Sequence, residues 1–419
     1  MIKQRFIHYY FLNEVIHLAF LFYLYITSTP IINIFIYYIL FYYANFAALF
    51  VVLMLRRELR SETKPYLKEI NAYYAQKHIN VEKAKFKSFK IQARDGVTIN
   101  VSVSVPSSSS STSSKQNQTK ARRKVMLLAE PLGQKGPSVY RALIHYFGDD
   151  FVYITWDYRG LFDSSSPSVP RRISIPQHAE DAIEVLKACG FEYADVIVGH
   201  SMGTAVALEA CLLFPEKIKS QILLNGFHGH VFSTVSQPLV RFPLIGDIYA
   251  ALLEYMVNHQ SFAQLLRRGL SAAMSSWLPI YSKIFGSELM TRLDGEEYFQ
   301  IFLRNYLGPL FENEKDTKSL KNYLRLFLEL NAWSVYHLLP NIKIPTLLVS
   351  GLMDMLTPAM QSVEIARRIE NAEHYCDPFS THASILESPE RCLAEIARFL
   401  DTHGVWCRSS SSAHHAKLE

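Results

Sequence analysis

The stretch ADVIVGHSMGTAVALEAC, Ala194 to Cys211, joins two apolar runs through a glycine-flanked serine. ADVIVGH reads as a buried strand, since short apolar runs rich in β-branched residues fill the interior of a parallel sheet. MGTAVALEACLLFP reads as the helix that follows it. Between them Gly199-His200-Ser201-Met202-Gly203 fits the pattern G-x-S-x-G. A sharp strand-to-helix turn strains the serine backbone and lifts its hydroxyl above the sheet, and the glycines leave room for that close approach. The bare pattern also fits a small residue at a tight turn. The context of a strand before and a helix after favours the nucleophile.

The same rhythm extends both ways. VMLLAE, FVYITWDYR and IKSQILLNGF read as buried strands, with SVYRALIHYFGD and SIPQHAEDAIEVLKAC as intervening helices. The pattern pauses after Phe227 and resumes at IPTLLVSG, followed by PAMQSVEIARRIE, AEHYCDPF and ESPERCLAEIARFLDTHG. Such alternation predicts an α/β fold, a mostly parallel sheet with helices on both faces. Upstream, KFKSFKIQARDGVTINVSVSVP alternates on either side of Asp95-Gly96 and predicts a strand hairpin. The pause, residues 228–343, is too long for a bare loop and rich in aromatic helical patterns such as DIYAALLEYM and YLRLFLELNAWSVYHLL. It predicts a helical cap over the carboxyl edge of the sheet, inserted before the later strands.

A serine nucleophile needs a base, and the base an orienting carboxylate, in the chain order serine, acid, histidine. LLVSGLMDMLTP supplies Asp354 just past a buried strand, and DPFSTHASILESP supplies His382 between the final strand and the last helix. Asp354 also suits a cap for the helix near Pro358, and His382 an ordinary loop position. Their order behind Ser201 favours a triad. Asp377 and Glu373 are substitute acids, worse placed because they share the strand that precedes the histidine.

From about Phe86 to His403 the chain resembles an α/β-hydrolase-fold serine hydrolase of the lipase and esterase type. GHSMG matches the nucleophile elbow, GLMDMLTP the G-x-x-D-x-x-x-P acid turn and STHAS the histidine loop. WDYRGLFDSS resembles the D-x-R-G-x-G-x-S stretch, with Phe162 where a glycine is usual. The resemblance implies Ser201 as nucleophile, His382 as base and Asp354 as its orienter, with Asp157 and Arg159 holding loop architecture. One departure stands out: AEPLGQKG places Glu130-Pro131 where such hydrolases often carry His-Gly. The oxyanion hole needs two backbone N–H groups. Met202, after the nucleophile, supplies one and Leu132 is the candidate for the other, since Pro131 has none.

At the amino end, Ile31 to Leu55 carries no charge, and about 20 apolar residues suffice to cross a bilayer. VIHLAFLFYLYIT upstream is apolar too, with STP as a short turn between two spans. Lys3 and Arg5 precede the pair and Arg56, Arg57 and Arg60 follow it, which fits a hairpin of transmembrane helices with both ends in the cytoplasm. A single signal-anchor with a lumenal domain is the rival. Occupancy of the glycosylation patterns at Asn100 or Asn117 reveals it.

The expected organisation is a membrane anchor over 1–60, core over 61–227 with a flexible Ser-rich loop at 107–124, cap over 228–343, core over 344–406 and a disordered tail over 407–419. A net charge of +5 in short clusters gives no basic face for nucleic acid, and five dispersed cysteines give no metal spacing. No cofactor or metal is expected. The expected partners are the bilayer and an apolar substrate, and the expected function is hydrolysis of lipid-like carboxylic esters, such as an acylglycerol or lysophospholipid. Alternatives are a thioesterase or acyltransferase with the same triad, and a catalytically silent membrane interaction module.

Overall fold

The computed structural model describes residues 60–75, 85–106, 123–170, 173–233, 244–294 and 317–407. The anchor segments, most of the Ser-rich loop, the tail beyond Cys407 and the cap stretch EEYFQIFLRNYLGPLF lie outside the described residues. Among the described residues no helix is long and apolar enough to cross a membrane.

Eight strands form one sheet: β1 (Phe86–Gln92), β2 (Thr98–Ser104), β3 (Lys124–Ala129), β4 (Phe151–Trp156), β5 (Val196–His200), β6 (Gln221–Leu224), β7 (Thr346–Gly351) and β8 (Ala372–Asp377). Their spatial order is β1-β2-β4-β3-β5-β6-β7-β8. β1 and β2 form the antiparallel hairpin read around Asp95-Gly96, and β2 pairs antiparallel with β4. Every other pairing is parallel. β3 to β7 are buried almost throughout, which explains their mostly apolar sequences: both faces are covered.

Helices cover both faces. α1 (Lys64–Ala75), α2 (Arg141–Phe147) and α11 (Pro389–Thr402) pack on the face carrying Met126, Leu128, Val196 and Val198. α3 (Ile175–Ala188), α4 (Met202–Leu213) and α9 (Ala359–Arg368) pack on the face carrying Leu127, Ile154 and Ile197. The segment ahead of β1 is helical over Lys64–Ala75. Tyr66 donates to Asp401 Oδ2 at 2.5 Å and Thr63 to Glu395 Oε1 at 2.9 Å, so α1 is fastened along α11.

Between β6 and β7 the described chain is helical: α5 (Ile245–Asn258), α6 (Gln260–Phe285), α7 (Glu288–Asp294) and α8 (Thr317–Ala332). The chain leaves and returns through a narrow neck, where Gly229 and Ser334 form an isolated antiparallel bridge. Asn322 of α8 donates through Nδ2 to Gly160 O and Ser166 Oγ, both at 2.9 Å, in the loop after β4.

That loop also holds a buried ion pair. Arg159 donates through Nε and Nη2 to both oxygens of Asp181, at 2.8 and 2.5 Å, and through Nη1 to Asp95 Oδ2 at 2.8 Å. Asp157 Oδ2 accepts from Asn100 Nδ2 and Asp163 N. Arg159 thus ties the β1–β2 turn and α3 to the loop, and Asp157 ties β2 to it. Phe162, where the family stretch has glycine, sits at φ 50°, in the left-handed region that favours glycine. Its backbone strain persists while its ring packs against the core.

Candidate active site

Four parallel strands end side by side, and each delivers part of one cluster. β5 ends at His200, and Ser201 follows at φ 52° and ψ −117°, a strained conformation for a residue with a Cβ. Its N–H donates to Leu224 O of β6 at 3.0 Å, and its carbonyl accepts from Thr204, which opens α4. The turn is tight because two glycines let backbones meet. A Cβ on Gly203 would lie 2.0 Å from Ala129 O, and one on Gly199 would lie 2.3 Å from Gly203 O. Among the described residues the Ser201 hydroxyl makes no hydrogen bond, and the residue is partly exposed.

Asp354 follows β7 and is buried. Oδ1 accepts the N–H groups of Leu356 and Thr357, both at 2.9 Å. Oδ2 faces Asn225 Nδ2 at 2.9 Å, Thr357 Oγ1 at 2.8 Å and His382 Nδ1 at 2.9 Å. Oδ1 closes the turn before α9 without capping the helix, whose N-cap is Pro358 and takes no side-chain bond, while Oδ2 meets the histidine. Burial alone would raise its pKa, but His382 and the surrounding donors outweigh it and hold the group below the usual carboxylate range. With Asp354 accepting at Nδ1, the His382 proton sits on Nδ1 and the Nε2 lone pair is left to act as a base.

Asp377 and Glu373 are engaged elsewhere. Asp377 accepts from Phe379 N, Ser380 Oγ and Tyr375 Oη and pairs with Arg391. Glu373 lies at the start of β8, at the far end from the cluster, and pairs with Arg60 and Arg398.

Three organising residues carry no sequence signal. Asn225, at the end of β6, is fully buried at φ 50°. Its Nδ2 donates to Asp354 Oδ2 and to Thr381 O, both at 2.9 Å, and its Oδ1 accepts from Ser384 Oγ at 2.5 Å. It thus spans the acid turn and the histidine loop. Thr357 Oγ1 lies 2.8 Å from Asn225 O and 3.1 Å from His382 Nδ1. His200 Nε2 donates to His382 O at 2.8 Å, tying the residue before Ser201 to the histidine itself.

A family model described as alpha/beta hydrolase fold matches residues 126–389. The chain belongs to the alpha/beta hydrolase family. It is 26% identical over 284 residues to a putative carbamate hydrolase RutD from Rhizobium rhizogenes, covering 66% of this chain and 92% of that one. A second putative carbamate hydrolase RutD, from Pseudomonas savastanoi, is 26% identical over 250 residues, covering 58% and 84%. Among solved structures, an esterase from Exiguobacterium antarcticum aligns with a TM-score of 0.52 at 17% identity, covering 75% of this chain and 100% of that one. The enol-lactonase from Burkholderia xenovorans aligns at 0.51 with 16% identity, covering 74% and 99%.

Within this alpha/beta hydrolase the loop after β3 departs from the usual His-Gly in a defined way. Pro131-Leu132-Gly133-Gln134 form a turn closed by Gln134 N donating to Pro131 O at 3.4 Å, with Gly133 at φ 78°. Among the described residues neither Leu132 N–H nor Met202 N–H has an acceptor. The Glu130 side chain is buried against β4, where Thr155 Oγ1 donates to Oε1.

Asn225→Ala is expected to lower kcat by about tenfold or more, because Asp354 loses a donor and the histidine loop loses its tie to β6. Steady-state kinetics check it, and an unchanged kcat in a folded variant contradicts the hub role.

His200 carries a second expectation. Burial, reinforced by the neighbouring His382, lowers its pKa to about 3. An unfolded histidine titrates near 6.5, so below that pH the unfolded chain takes up a proton that the fold refuses. Stability from His200 is thus complete above about pH 6.5 and is lost as pH falls toward 3. The stability advantage over His200→Gln at neutral pH should shrink by up to about 1.4 kcal/mol per pH unit below about pH 6. Urea midpoints at a series of pH values check this, and parallel pH profiles contradict it.

Proposed function

We propose that the protein is a membrane-anchored serine hydrolase that cleaves carboxylic esters through an acyl-enzyme. The observation that carries the reading is the Asp354–His382 hydrogen bond of 2.9 Å beside a serine held at φ 52°. Ser201 attacks the acyl carbonyl, and His382 takes the hydroxyl proton on Nε2 and returns it to the leaving alcohol. Asp354 holds the imidazole tautomer and stabilises the imidazolium. The N–H groups of Met202 and Leu132 receive the oxyanion. Water activated by His382 then releases the acid.

The uncharged stretch Ile31 to Leu55 supports attachment to a bilayer, with the hydrolase domain on the cytoplasmic side. Attachment, together with an apolar cap sequence, supports a lipid-like ester as substrate. The test offers the full chain in vesicles a monoacylglycerol, a lysophospholipid and a short soluble ester. Preferential turnover of the vesicle-borne esters is expected, and turnover of the short ester alone overturns the lipid reading. A second reading, favoured by the relatives named putative carbamate hydrolases, places a carbamate carbonyl in the same site. The attacked carbon has the same geometry, so a matched carbamate in the same assay separates the two.

A further inference from the structure

The loop AEPLGQ opposite Ser201 contains a buried acid that the chemistry above does not use. Glu130 leaves β3 with 1% exposure, and three hydroxyl contacts pin the strand exit around it. Tyr140 Oη donates to Ala129 O at 2.5 Å, Tyr158 Oη donates to Glu130 O at 2.7 Å, and Thr155 Oγ1 donates to Glu130 Oε1 at 2.7 Å. The carboxyl is thereby fixed at one oxygen and the backbone at two, one residue before the Pro131–Gln134 turn that carries Leu132 N–H.

The other carboxyl oxygen defines the protonation state. Among the described residues Oε2 is buried with no hydrogen-bond partner, and Gln134 Oε1 in the same turn is likewise buried without one. A carboxylate oxygen left dry and unpaired is among the costliest groups a fold can hold, whereas a protonated one is tolerated. Among the described residues no cation offsets it. Asp157 is the charged group that bears on it from β4 and disfavours ionisation, Tyr158 is neutral and itself disturbed by Glu130, and Lys135 of the turn is paired with Asp163. Burial pushes the Glu130 carboxyl well above the usual range, in agreement with this geometry.

We propose that Glu130 is a positioning residue of the oxyanion turn, acting as a neutral carboxylic acid that clamps the turn to β4 and keeps negative charge away from the developing oxyanion. It does so without touching substrate. The same turn built on an ionised acid would oppose the charge that Leu132 and Met202 are placed to stabilise. The assignment rests on the proposed serine hydrolase reading, and it explains why glutamate is accommodated where relatives often carry histidine: a protonated acid accepts the Thr155 proton at one oxygen without placing a charge beneath the site.

The test uses the full chain, a short soluble ester and infrared spectroscopy. E130Q, which preserves shape and neutrality, is expected to keep kcat within about threefold. E130A is expected to lose about tenfold or more in kcat with KM within about twofold, less than deletion of a whole oxyanion donor. T155V, which removes only the hydroxyl that holds Oε1, should lower kcat in the same direction and stands in if E130A does not fold. Infrared spectra near neutral pH should carry a protonated-carboxyl band that E130Q lacks. An unchanged kcat in folded E130A, or no infrared difference, overturns the assignment. Failure of the unsubstituted chain to label at Ser201 with a fluorophosphonate overturns the hydrolase reading, whereas labelling without the infrared difference overturns the Glu130 role alone.

Discussion

Ser201→Ala is expected to reduce ester turnover by about 10⁴- to 10⁶-fold while leaving the protein folded. The two halves of that expectation have separate causes. In the proposed mechanism the hydroxyl is the attacking atom, so its removal leaves only water and the binding contacts to act on the carbonyl. Among the described residues that hydroxyl makes no hydrogen bond, so the fold loses nothing with it. Stability should shift by under about 0.5 kcal/mol. Ser201→Gly sharpens the point: it is equally inactive, yet it removes a Cβ from a φ of 52° and should be more stable than the alanine variant by roughly 1 kcal/mol. Fluorophosphonate labelling, kinetics and urea midpoints on the three proteins check both halves. Labelling that survives in Ser201→Ala would move the nucleophile elsewhere.

The second large effect is on folding. Gly203→Ala places a Cβ 2.0 Å from Ala129 O, 2.7 Å from Ala129 C and 3.0 Å from Glu130 O. All three are backbone atoms of the exit of β3, a strand paired on both sides, so no side chain can rotate away. Relief requires pulling α4 off the sheet or breaking β3–β5 pairing. The expected cost exceeds about 4 kcal/mol, a large share of the roughly 5–15 kcal/mol that holds a typical domain folded. The variant should fail to accumulate as folded protein, or show a collapsed urea midpoint. Gly190→Ala is the control: it sits at positive φ, 82°, which Gly203 within α4 does not, and a Cβ there meets nothing within 4 Å. It should cost about 1 kcal/mol. Equal behaviour of the two variants would mean that the close approach of α4 to β3 is relieved at little cost.

Much of the fold was legible because burial on both faces leaves a simple trace. Strands such as Val196–His200 and Thr346–Gly351 are buried at every position, and helices such as Ile175–Ala188 and Ala359–Arg368 are amphipathic. The hairpin at Asp95-Gly96 declared itself by alternation and a turn residue. The site was legible only where chemistry restricts residue type: serine between glycines, then an acid, then a histidine, each after a strand. Asn225, Thr357 and His200 escaped notice because asparagine and histidine at strand ends, and threonine in turns, are common and serve many purposes. Phe162 at φ 50° and Glu130 in the core run against local preference, so no rule of propensity anticipates them.

By itself, then, the sequence determined the alternation of strands and helices, the elbow at Ser201 and the order in which acid and histidine follow, since periodicity and turn chemistry are local properties. Only the tertiary structure decided which acid meets His382. Asp354 and Asp377 both follow or end a strand beside the cluster, and both are buried. One faces His382 Nδ1 at 2.9 Å while the other is taken up by Arg391, Tyr375 and the serines of its own loop. The choice depends on parallel strands β6, β7 and β8 lying in register, which brings together residues far apart in the chain, and no local pattern encodes that distance.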